Sequence, residues 1–350
     1  MLTVYSIEQS NVWDEIVRSF HEFDIYWLSE YTRAFQIHGD GEPLLLFYES
    51  GSVRGINVVM KRDVAHDRHF AARIPEGVYF DIATPYGYGG WYFEGDQTGA
   101  DAAAFQKEYS AWCRENGIIS EFVRFHPVLE NAVGINAELY ELVFLGNTVA
   151  IRLDSEEKIW ERFSSKNRGH IRVAAKEGVT VRIETTKDAF DVFQRIYETT
   201  MIRDDASSYY YFDKAFFESI RNDLKGAYTI FTSYLGETAI ASAIMLYAGK
   251  YMNYHLSGQL FDYRRYAGTN MILYEAAKWG CKNGYEWLHL GGGLGAQEGS
   301  LYDFKKSFYK KGEDKSFYIG RKIFDREKYQ YLLLMRDGEL PEGFFPQYRA

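Results

Sequence analysis

The chain has 350 residues, 46% hydrophobic and 25% charged, which is typical of a globular protein with one large or two medium domains. A net charge of −9 excludes a chain that binds polyanions over its whole surface, so a nucleic-acid partner needs a local basic face. Two cysteines without CxxC or HxxxH spacing provide no metal site, and we expect neither a metal nor a resident cofactor.

The first half of the chain alternates helix and strand patterns. The predicted elements are helices at 11–20 and 29–38, strands at 43–48, 54–60 and 77–84, a helix at 102–115 and a strand at 118–125. A glycine-rich loop at 85–90 follows the third strand, and Asn116-Gly117 ends the last helix.

The second half repeats this order. We predict helices at 156–177 and 187–202, strands at 228–235, 239–247 and 251–258, a helix at 270–282 and a strand at 285–290. Asn283-Gly284 ends the last of these helices. A final helix at 327–335 is rich in leucine, so we expect it to return and cover part of the first half.

A Trp-x-x-x-Asn-Gly motif occurs once in each half, beginning at Trp112 and at Trp279. Because the surrounding elements also follow one order, we infer a duplication. Strand, helix and strand in this order form a right-handed crossover between parallel strands. The expected fold class is α/β, with two tandem GNAT-like domains of mixed sheet and flanking helices. They are placed at 1–150, completed by 322–350, and at 151–321.

The loop before the last helix of the second half has features of a phosphate site. GNAT acetyltransferases hold the pyrophosphate of coenzyme A with a Gln/Arg-x-x-Gly-x-Gly/Ala loop and the helix that follows it. Arg265 and Gly268 fit this pattern, whereas Asn270 replaces the small final residue and is expected to cap the helix instead. The glycine-rich loop of the first half lacks the basic residue.

Three segments carry a resemblance to the FemABX-like peptidyltransferases. They are 163–172 with its continuation to Val179, then Ala267-Gly268-Thr269-Asn270, and then Leu290-Gly291-Gly292 followed by Phe304-Lys305-x-x-Phe308. The resemblance covers most of the chain and implies transfer of an amino acid from aminoacyl-tRNA to an amine of a peptidoglycan-type precursor. It places Lys305 near the reacting ester, Tyr254 near the acceptor and Arg203 on an anionic group of the acceptor.

Further residues are candidates for substrate contact. Asp204 and Tyr210 accompany Arg203, and Phe304 and Phe308 accompany Lys305, although their spacing also fits a core stripe. On the strand at 251–258, His255 and Ser257 are expected on one face and Tyr254 on the other. His255 is a weaker candidate for a general base.

Two basic clusters stand out in this acidic chain. Residues 158–182 carry a local charge of +5, and Lys305, Lys306, Lys310, Lys311 and Lys315 form the second cluster. Together they indicate a track for tRNA or another phosphate-rich partner.

The chain shows no signal peptide and no apolar run near the ~18 residues of a membrane helix. We therefore expect a cytoplasmic protein that contacts membranes only peripherally. Two alternatives to the aminoacyl-tRNA enzyme stay open. One is an acyl-CoA N-acyltransferase acting on a sugar or lipid amine, with Arg265 and Gly268 on the pyrophosphate. The other is a non-catalytic binding module on the same fold.

Overall fold

Two units, each with its own hydrophobic core, make up the chain. The computed structural model describes residues 1–95, 99–135 and 138–350. Unit 1 comprises Met1–His21, Tyr26–Leu145 and Phe317–Ala350, and unit 2 comprises Glu22–Ile25 and Gly146–Ser316. The division therefore falls after Leu145 and Ser316, whereas 150 and 321 were expected from the sequence. The four residues Glu22–Ile25 belong to unit 2 although they lie in the first half of the chain.

The strands and helices are numbered in chain order. The strands are β1 (Leu2–Ser6), β2 (Glu42–Ser50), β3 (Val53–Asp63), β4 (Phe80–Ala83), β5 (Tyr92–Gly95), β6 (Ile118–Arg124), β7 (Glu141–Arg152), β8 (Val179–Glu184), β9 (Tyr228–Leu235), β10 (Thr238–Ala248), β11 (Tyr251–Gln259), β12 (Trp287–Gly291) and β13 (Lys315–Ile323). The helices are α1 (Ser10–Arg18), α2 (Ser29–His38), α3 (Gly99–Glu115), α4 (Glu156–Arg162), α5 (Ser165–Lys176), α6 (Lys187–Arg203), α7 (Lys214–Asp223), α8 (Gly268–Lys282), α9 (Ser300–Lys306) and α10 (Arg326–Met335).

In unit 1 the strand order is β1-β2-β3-β4-β6-β13, and β5 also pairs with β3. The β4–β6 pair is parallel and is connected through α3, whereas the neighbouring pairs are antiparallel. The C-terminal segment completes this unit, because Leu332 of α10 and Tyr348 are fully buried in one cluster with Val64 and Phe70. The leucine-rich helix thus covers unit 1.

In unit 2 the order is β7-β12-β11-β10-β9-β8. The β11–β12 pair is parallel and is connected through α8, and its register covers only Tyr251–Asn253 against Trp287–His289. One sheet face packs on α5 and α8 in a core that includes Met245, Met252 and Leu288. The other face carries α6, whose Ile196 carbonyl lies 2.6 Å from where a Cβ on Gly258 would be. Each unit is therefore a mixed sheet flanked by helices, which confirms the predicted fold class.

The repeated motif has the same structure in both units. The side-chain amide of Asn116 donates to the carbonyl of Trp112 at 2.9 Å, and that of Asn283 donates to the carbonyl of Trp279 at 2.7 Å. The glycine that follows has a positive φ in both copies, 69° at Gly117 and 83° at Gly284. Each copy thus ends its crossover helix by satisfying a terminal carbonyl and reversing the backbone at glycine.

The helix predicted at 156–177 is divided into two. Phe163 and Ser164 adopt extended backbone between α4 and α5, and the Ser164 hydroxyl accepts from the Asn167 amide at 3.1 Å. A continuous charged pattern does not reveal this break, because the serine reads equally well as part of a helix. The Ser164 cap therefore starts α5 as a separate helix.

Candidate functional site

A β-bulge shapes strand β11 in unit 2. Leu256 pairs with Ile244 and Tyr254 pairs with Met245, so His255 is an extra residue opposite two consecutive partners. The extra residue shifts the alternation of side chains by one position. Tyr254 and Ser257 consequently lie on the same face, where the Tyr254 hydroxyl donates to the Ser257 Oγ at 2.6 Å. The prediction of opposite faces for these two residues was wrong, because strict alternation assumes an unbulged strand.

Burial sets the protonation of the bulge residues. It raises the pKa of Tyr254 to about 12, so the phenol stays protonated and remains a hydrogen-bond donor. It lowers the pKa of His255 to about 3, so the imidazole is neutral and only weakly basic at physiological pH. This low basicity argues against His255 as a general base.

Lys305 lies in α9, shortly after β12 in the chain. Its ammonium donates to the carbonyl of Gly292 at 2.7 Å, just beyond the end of β12. Desolvation lowers the pKa of Lys305 to about 8, because the charged form loses water without gaining a carboxylate. A partly exposed cation held at the end of the strand that pairs with β11 is suited to stabilising negative charge on a substrate.

The two aromatic residues of the Phe-Lys-x-x-Phe motif support α9. Phe304 and Phe308 contact each other edge to face, with ring centroids 5.4 Å apart. Phe308 is fully buried and also meets Phe163 at 5.1 Å, so it belongs to the core of unit 2. Substrate contact by Phe308 was therefore a wrong prediction, whereas Phe304 is only partly buried. The spacing of the two rings is that of a core stripe.

Arg203 lies at the end of α6 and is already engaged. Its guanidinium binds the neighbouring Asp204 carboxylate through two bonds of 2.7 and 2.9 Å and donates to the carbonyl of Gln259 at 2.8 Å. The two predicted substrate residues thus bind each other, and an anionic ligand has to displace Asp204. Tyr210 is half-buried, and its carbonyl accepts from the Tyr197 hydroxyl.

The N-terminus of α8 agrees with the phosphate-loop pattern at Gly268 but differs from the prediction at Asn270. The helix begins at Gly268 after Ala267, whose φ of 52° is left-handed, and no side chain caps it. Asn270 does not cap the helix as predicted, because it is buried and its amide donates to the Asn167 side chain at 2.8 Å. A Cβ at Gly268 would lie 2.5 Å from the Ser233 hydroxyl, so this glycine permits helix–sheet packing.

Two arginines lie next to this uncapped helix end. Arg265 donates to the Tyr266 hydroxyl at 2.7 Å and lies over that ring. Arg264 lies over the exposed Phe261 ring, with 3.8 Å between its guanidinium carbon and the centroid. The arginines and the free backbone amides of the helix make this end attractive to an anion.

The glycine-rich loop of unit 1 is fixed by packing. The Asn131 amide donates to the carbonyls of Gly89 and Trp91, and the Arg124 guanidinium donates to the carbonyl of Gly87. A Cβ at Gly90 would lie 2.7 Å from Val123. The loop therefore needs its glycines for close packing, and its polar backbone groups are bound by side chains of the same unit.

Apart from Lys305 and Lys315, the basic residues of the two clusters divide into two groups. Several are bound within unit 2: Arg162 and Lys158 pair with Asp154, Arg168 donates to the Glu161 carbonyl, Arg182 pairs with Glu237, and Lys306 pairs with Asp314. The exposed remainder is Lys166, Arg172, Lys176, Lys310 and Lys311, which we call the basic surface. Backbone bonds from Lys310 to Arg162 and from Ser164 to Ser307 hold its two parts together.

Sequence reasoning missed a buried polar row on the α6 face of the sheet. Asp24 accepts from the Asn253 amide, and His289 bonds to the Thr148 hydroxyl at 3.0 Å. All four side chains are at most 3% exposed. Asn253 and His289 are the last residues paired between β11 and β12. The sequence signal for this row was His289, which lies between Leu288 and Leu290, because a polar residue inside a buried strand needs a hydrogen-bond partner.

Within the described residues, no helix is long and apolar enough to cross a bilayer, and no three His, Cys, Asp or Glu side chains cluster as metal ligands.

Comparison with known proteins identifies the fold. The sequence pattern of the acetyltransferase (GNAT) domain matches residues 162–306. FemX superposes with a TM-score of 0.68 at 13% identity, covering 96% of this chain and 100% of FemX. No curated protein is significantly similar in sequence.

Two further structures have a similar fold. The C-terminal domain of a putative lysylphosphatidylglycerol synthetase from Agrobacterium fabrum gives a TM-score of 0.55 at 14% identity and 94% coverage of both chains. A tandem GNAT protein from the clavulanic acid biosynthesis pathway gives 0.51 at 7% identity, covering 93% of this chain and 98% of its own. These findings support an acyltransferase function. The chain thus has a tandem GNAT fold similar to that of FemX, and its second half matches an acetyltransferase (GNAT) domain.

Proposed function

We propose that this protein is an aminoacyltransferase that moves an amino acid from aminoacyl-tRNA to an amine of a peptidoglycan-type precursor. The attacking amine forms a C–N bond with the ester carbonyl, the C–O bond to the terminal ribose breaks, and the proton of the amine passes to the leaving hydroxyl. Such aminolysis needs alignment and a cation near the developing oxyanion more than it needs a nucleophilic side chain. The Lys305 ammonium has the position and charge for that role.

The basic surface is the observation that carries the tRNA part of the proposal. Its five cations come from two chain segments that are about 130 residues apart in sequence, yet the turn after α9 bonds directly to the start of α5. Lys310 and Lys311 follow Lys305 by five and six residues, just after α9 ends at Lys306. A phosphate backbone on this surface therefore leads toward the candidate catalytic lysine.

Binding and transfer assays test this proposal. Charged tRNA with a nucleotide-linked muramyl peptide as acceptor should give a ribonuclease-sensitive product. The triple variant Lys166→Glu, Lys310→Glu and Lys311→Glu should weaken tRNA binding by at least about 100-fold at low salt, because each reversal replaces a phosphate contact with repulsion. It should also flatten the dependence of affinity on salt concentration.

A charge-matched control separates a local site from overall charge. Lys187→Glu, Lys214→Glu and Lys225→Glu change the net charge by the same amount on exposed positions of unit 2 outside the basic surface. This control should keep its affinity within about threefold, apart from screened long-range effects. Equal losses in both triple variants would show that the basic surface is not a tRNA site.

An acyl-CoA N-acyltransferase is the second candidate. The uncapped N-terminus of α8, Gly268, and the arginines Arg264 and Arg265 favour it, because they can meet a pyrophosphate. Isothermal titration with acetyl-CoA distinguishes the two functions. Micromolar binding that Arg264→Ala and Arg265→Ala abolish would favour coenzyme A and count against the tRNA donor.

A further inference from the structure

The segment Glu22–Ile25 clamps the strand that carries the candidate site. Glu22 accepts from the Lys250 ammonium at 2.5 Å and from the Tyr251 hydroxyl at 2.7 Å. Asp24 accepts from the Asn253 amide at 3.0 and 2.9 Å through its two oxygens. The segment also runs close to the β10–β11 turn, where a Cβ on Gly249 would lie 2.6 Å from the carbonyl of Phe23. Both of its carboxylates thus hold the beginning of β11.

The Asp24 contact lies where β11 leaves its parallel partner. Asn253 is the last β11 residue in register with β12, opposite His289, and Tyr254 and the bulge at His255 follow at once. Thr148 donates its only hydroxyl hydrogen to the Lys315 carbonyl, so the Thr148 oxygen accepts from the Nε2–H of His289. This fixes His289 and anchors the partner of Asn253 on the β12 side.

Burial of this polar row lowers the stability of the folded state, so its presence calls for an explanation. Asp24 is 0% exposed and Asn253 is 1% exposed, and the Asn253 Oδ1 has no hydrogen-bond partner among the described residues. Apolar residues fill such positions at lower cost, since a buried acceptor without a donor destabilises the folded state. The arrangement keeps one side of the Asn253 amide bound to Asp24 and so fixes the orientation of the side chain.

We propose that Asp24 is a positioning residue for the acyl-transfer site. By holding Asn253 it sets the point at which β11 separates from β12, and it thereby fixes the bulge that brings Tyr254 and Ser257 to one face. This role rests on the proposed function, because the Tyr254–Ser257 pair is the group being positioned.

Two substitutions at Asp24 test the role. Asp24→Ala leaves Asn253 without its acceptor, while Glu22 still anchors the segment. We expect kcat for transfer of an amino acid from charged tRNA to the muramyl peptide to fall at least about tenfold, with KM for both substrates within about twofold. Amide hydrogen exchange at Tyr254–Ser257 should speed up. Asp24→Asn should recover part of kcat relative to Asp24→Ala, since its amide oxygen can still accept from the Asn253 amide.

A matched pair in unit 1 provides the control. Asn57 donates to Glu121 at 3.0 Å, and its Oδ1 also lacks a partner among the described residues. Glu121→Gln makes the same carboxylate-to-amide substitution as Asp24→Asn, but away from β11. It should leave kcat and amide hydrogen exchange at Tyr254–Ser257 unchanged. An Asp24→Ala protein with lowered Tm but normal kcat and normal exchange would overturn the positioning role. A wild type that transfers to no amine, while Asp24→Ala still changes exchange at the bulge, contradicts the proposed function instead.

Discussion

The two units end their crossover helices identically and differ in the loops and helix ends beside their crossover strands. In both, an asparagine bonds the carbonyl of the motif tryptophan and a glycine reverses the chain. In unit 1 the loop after β4 is filled by Arg124, Asn131 and close glycine packing. In unit 2 the corresponding loop after β11 leads into an uncapped helix end, and the partly exposed Lys305 follows β12.

Their buried carboxylates show the same divergence. Glu121 of unit 1 is enclosed by the hydroxyls of Tyr109 and Tyr140 and by Asn57, and no candidate catalytic residue of unit 2 depends on it. Asp24 instead supports the strand that carries Tyr254. Both units thus keep the scaffold, but the partners of their buried carboxylates differ: tyrosine hydroxyls and Asn57 in unit 1, and the β11 residue Asn253 in unit 2.

Removal of the Lys305 ammonium should give the largest loss of activity, and that loss would locate the chemistry in unit 2. Lys305→Ala should lower kcat/KM for transfer by about 100- to 1,000-fold, as loss of an oxyanion-stabilising donor does elsewhere. Lys306→Ala is the control, because Lys306 pairs with Asp314 at 2.5 Å and supports the fold. That variant should have a lower Tm than the wild type and a kcat within a few-fold of the wild-type value. Full activity in Lys305→Ala would show that Lys305 does not stabilise the oxyanion.

Replacement of the buried carboxyl of unit 1 should change stability alone. Burial raises the pKa of Glu121 to about 7, so its proton stays bound in the folded state where the unfolded state, with an ordinary pKa of 4.5, releases it. The folded state therefore loses stability as pH rises from 4.5 to 7, by roughly 3 kcal/mol, and its stability levels off above pH 7. Glu121→Gln should remove this slope.

Urea unfolding of both proteins between pH 4 and 8 measures the effect. Tyr109, Tyr140, Cys113, Asn57 and Lys322 surround the carboxyl, and neither tyrosine nor the cysteine titrates in this range, since burial raises their pKa values. The Glu121→Gln protein should be the more stable of the two at pH 8. Parallel pH profiles for the two proteins would mean that Glu121 is ionised throughout.

The duplicated scaffold was predictable from local signals, whereas the site geometry depends on contacts between distant segments. Helix α2 begins and ends as its pattern indicates, and the asparagine–glycine pairs mark both crossover helices. Strands β7 and β13 were missed, because their polar and charged residues obscure the alternation of a strand. The bulge at His255 was invisible, since a single extra residue leaves no compositional trace.

The hydrogen-bond partners of the candidate site residues could not be predicted from the sequence either. Arg203 and Asp204 were both expected to hold substrate, yet adjacent opposite charges at a helix end satisfy each other. Asp24 is separated from Asn253 by 229 residues and has no pattern of its own. The two basic clusters were predicted from the sequence. Their proximity was not, because it depends on backbone contacts between the turn after α9 and the start of α5.

A moderate effect should come from pH, through Lys305. If the charged ammonium stabilises the oxyanion, kcat/KM falls as pH rises through the Lys305 pKa of about 8 and approaches tenfold per unit above it. Lys305→Arg should retain part of the activity and shift this fall beyond about pH 10, because a guanidinium stays charged. Initial rates between about pH 6.5 and 10 measure both profiles. An equal fall through pH 8 in Lys305→Arg would contradict this role, because the guanidinium stays charged there.

The smallest effect should come from the glycines that end the two crossover helices. Alanine at either is strained by the positive φ and should cost about 1 kcal/mol. At Gly117 the added Cβ would also lie 2.5 Å from the carbonyl of Val78, whereas at Gly284 nothing lies within 4 Å. Gly117→Ala should therefore lower the free energy of unfolding by about 1–2 kcal/mol more than Gly284→Ala. Urea unfolding followed separately for each unit would show it, and equal losses would mean that the β4 end of unit 1 yields freely to the methyl group.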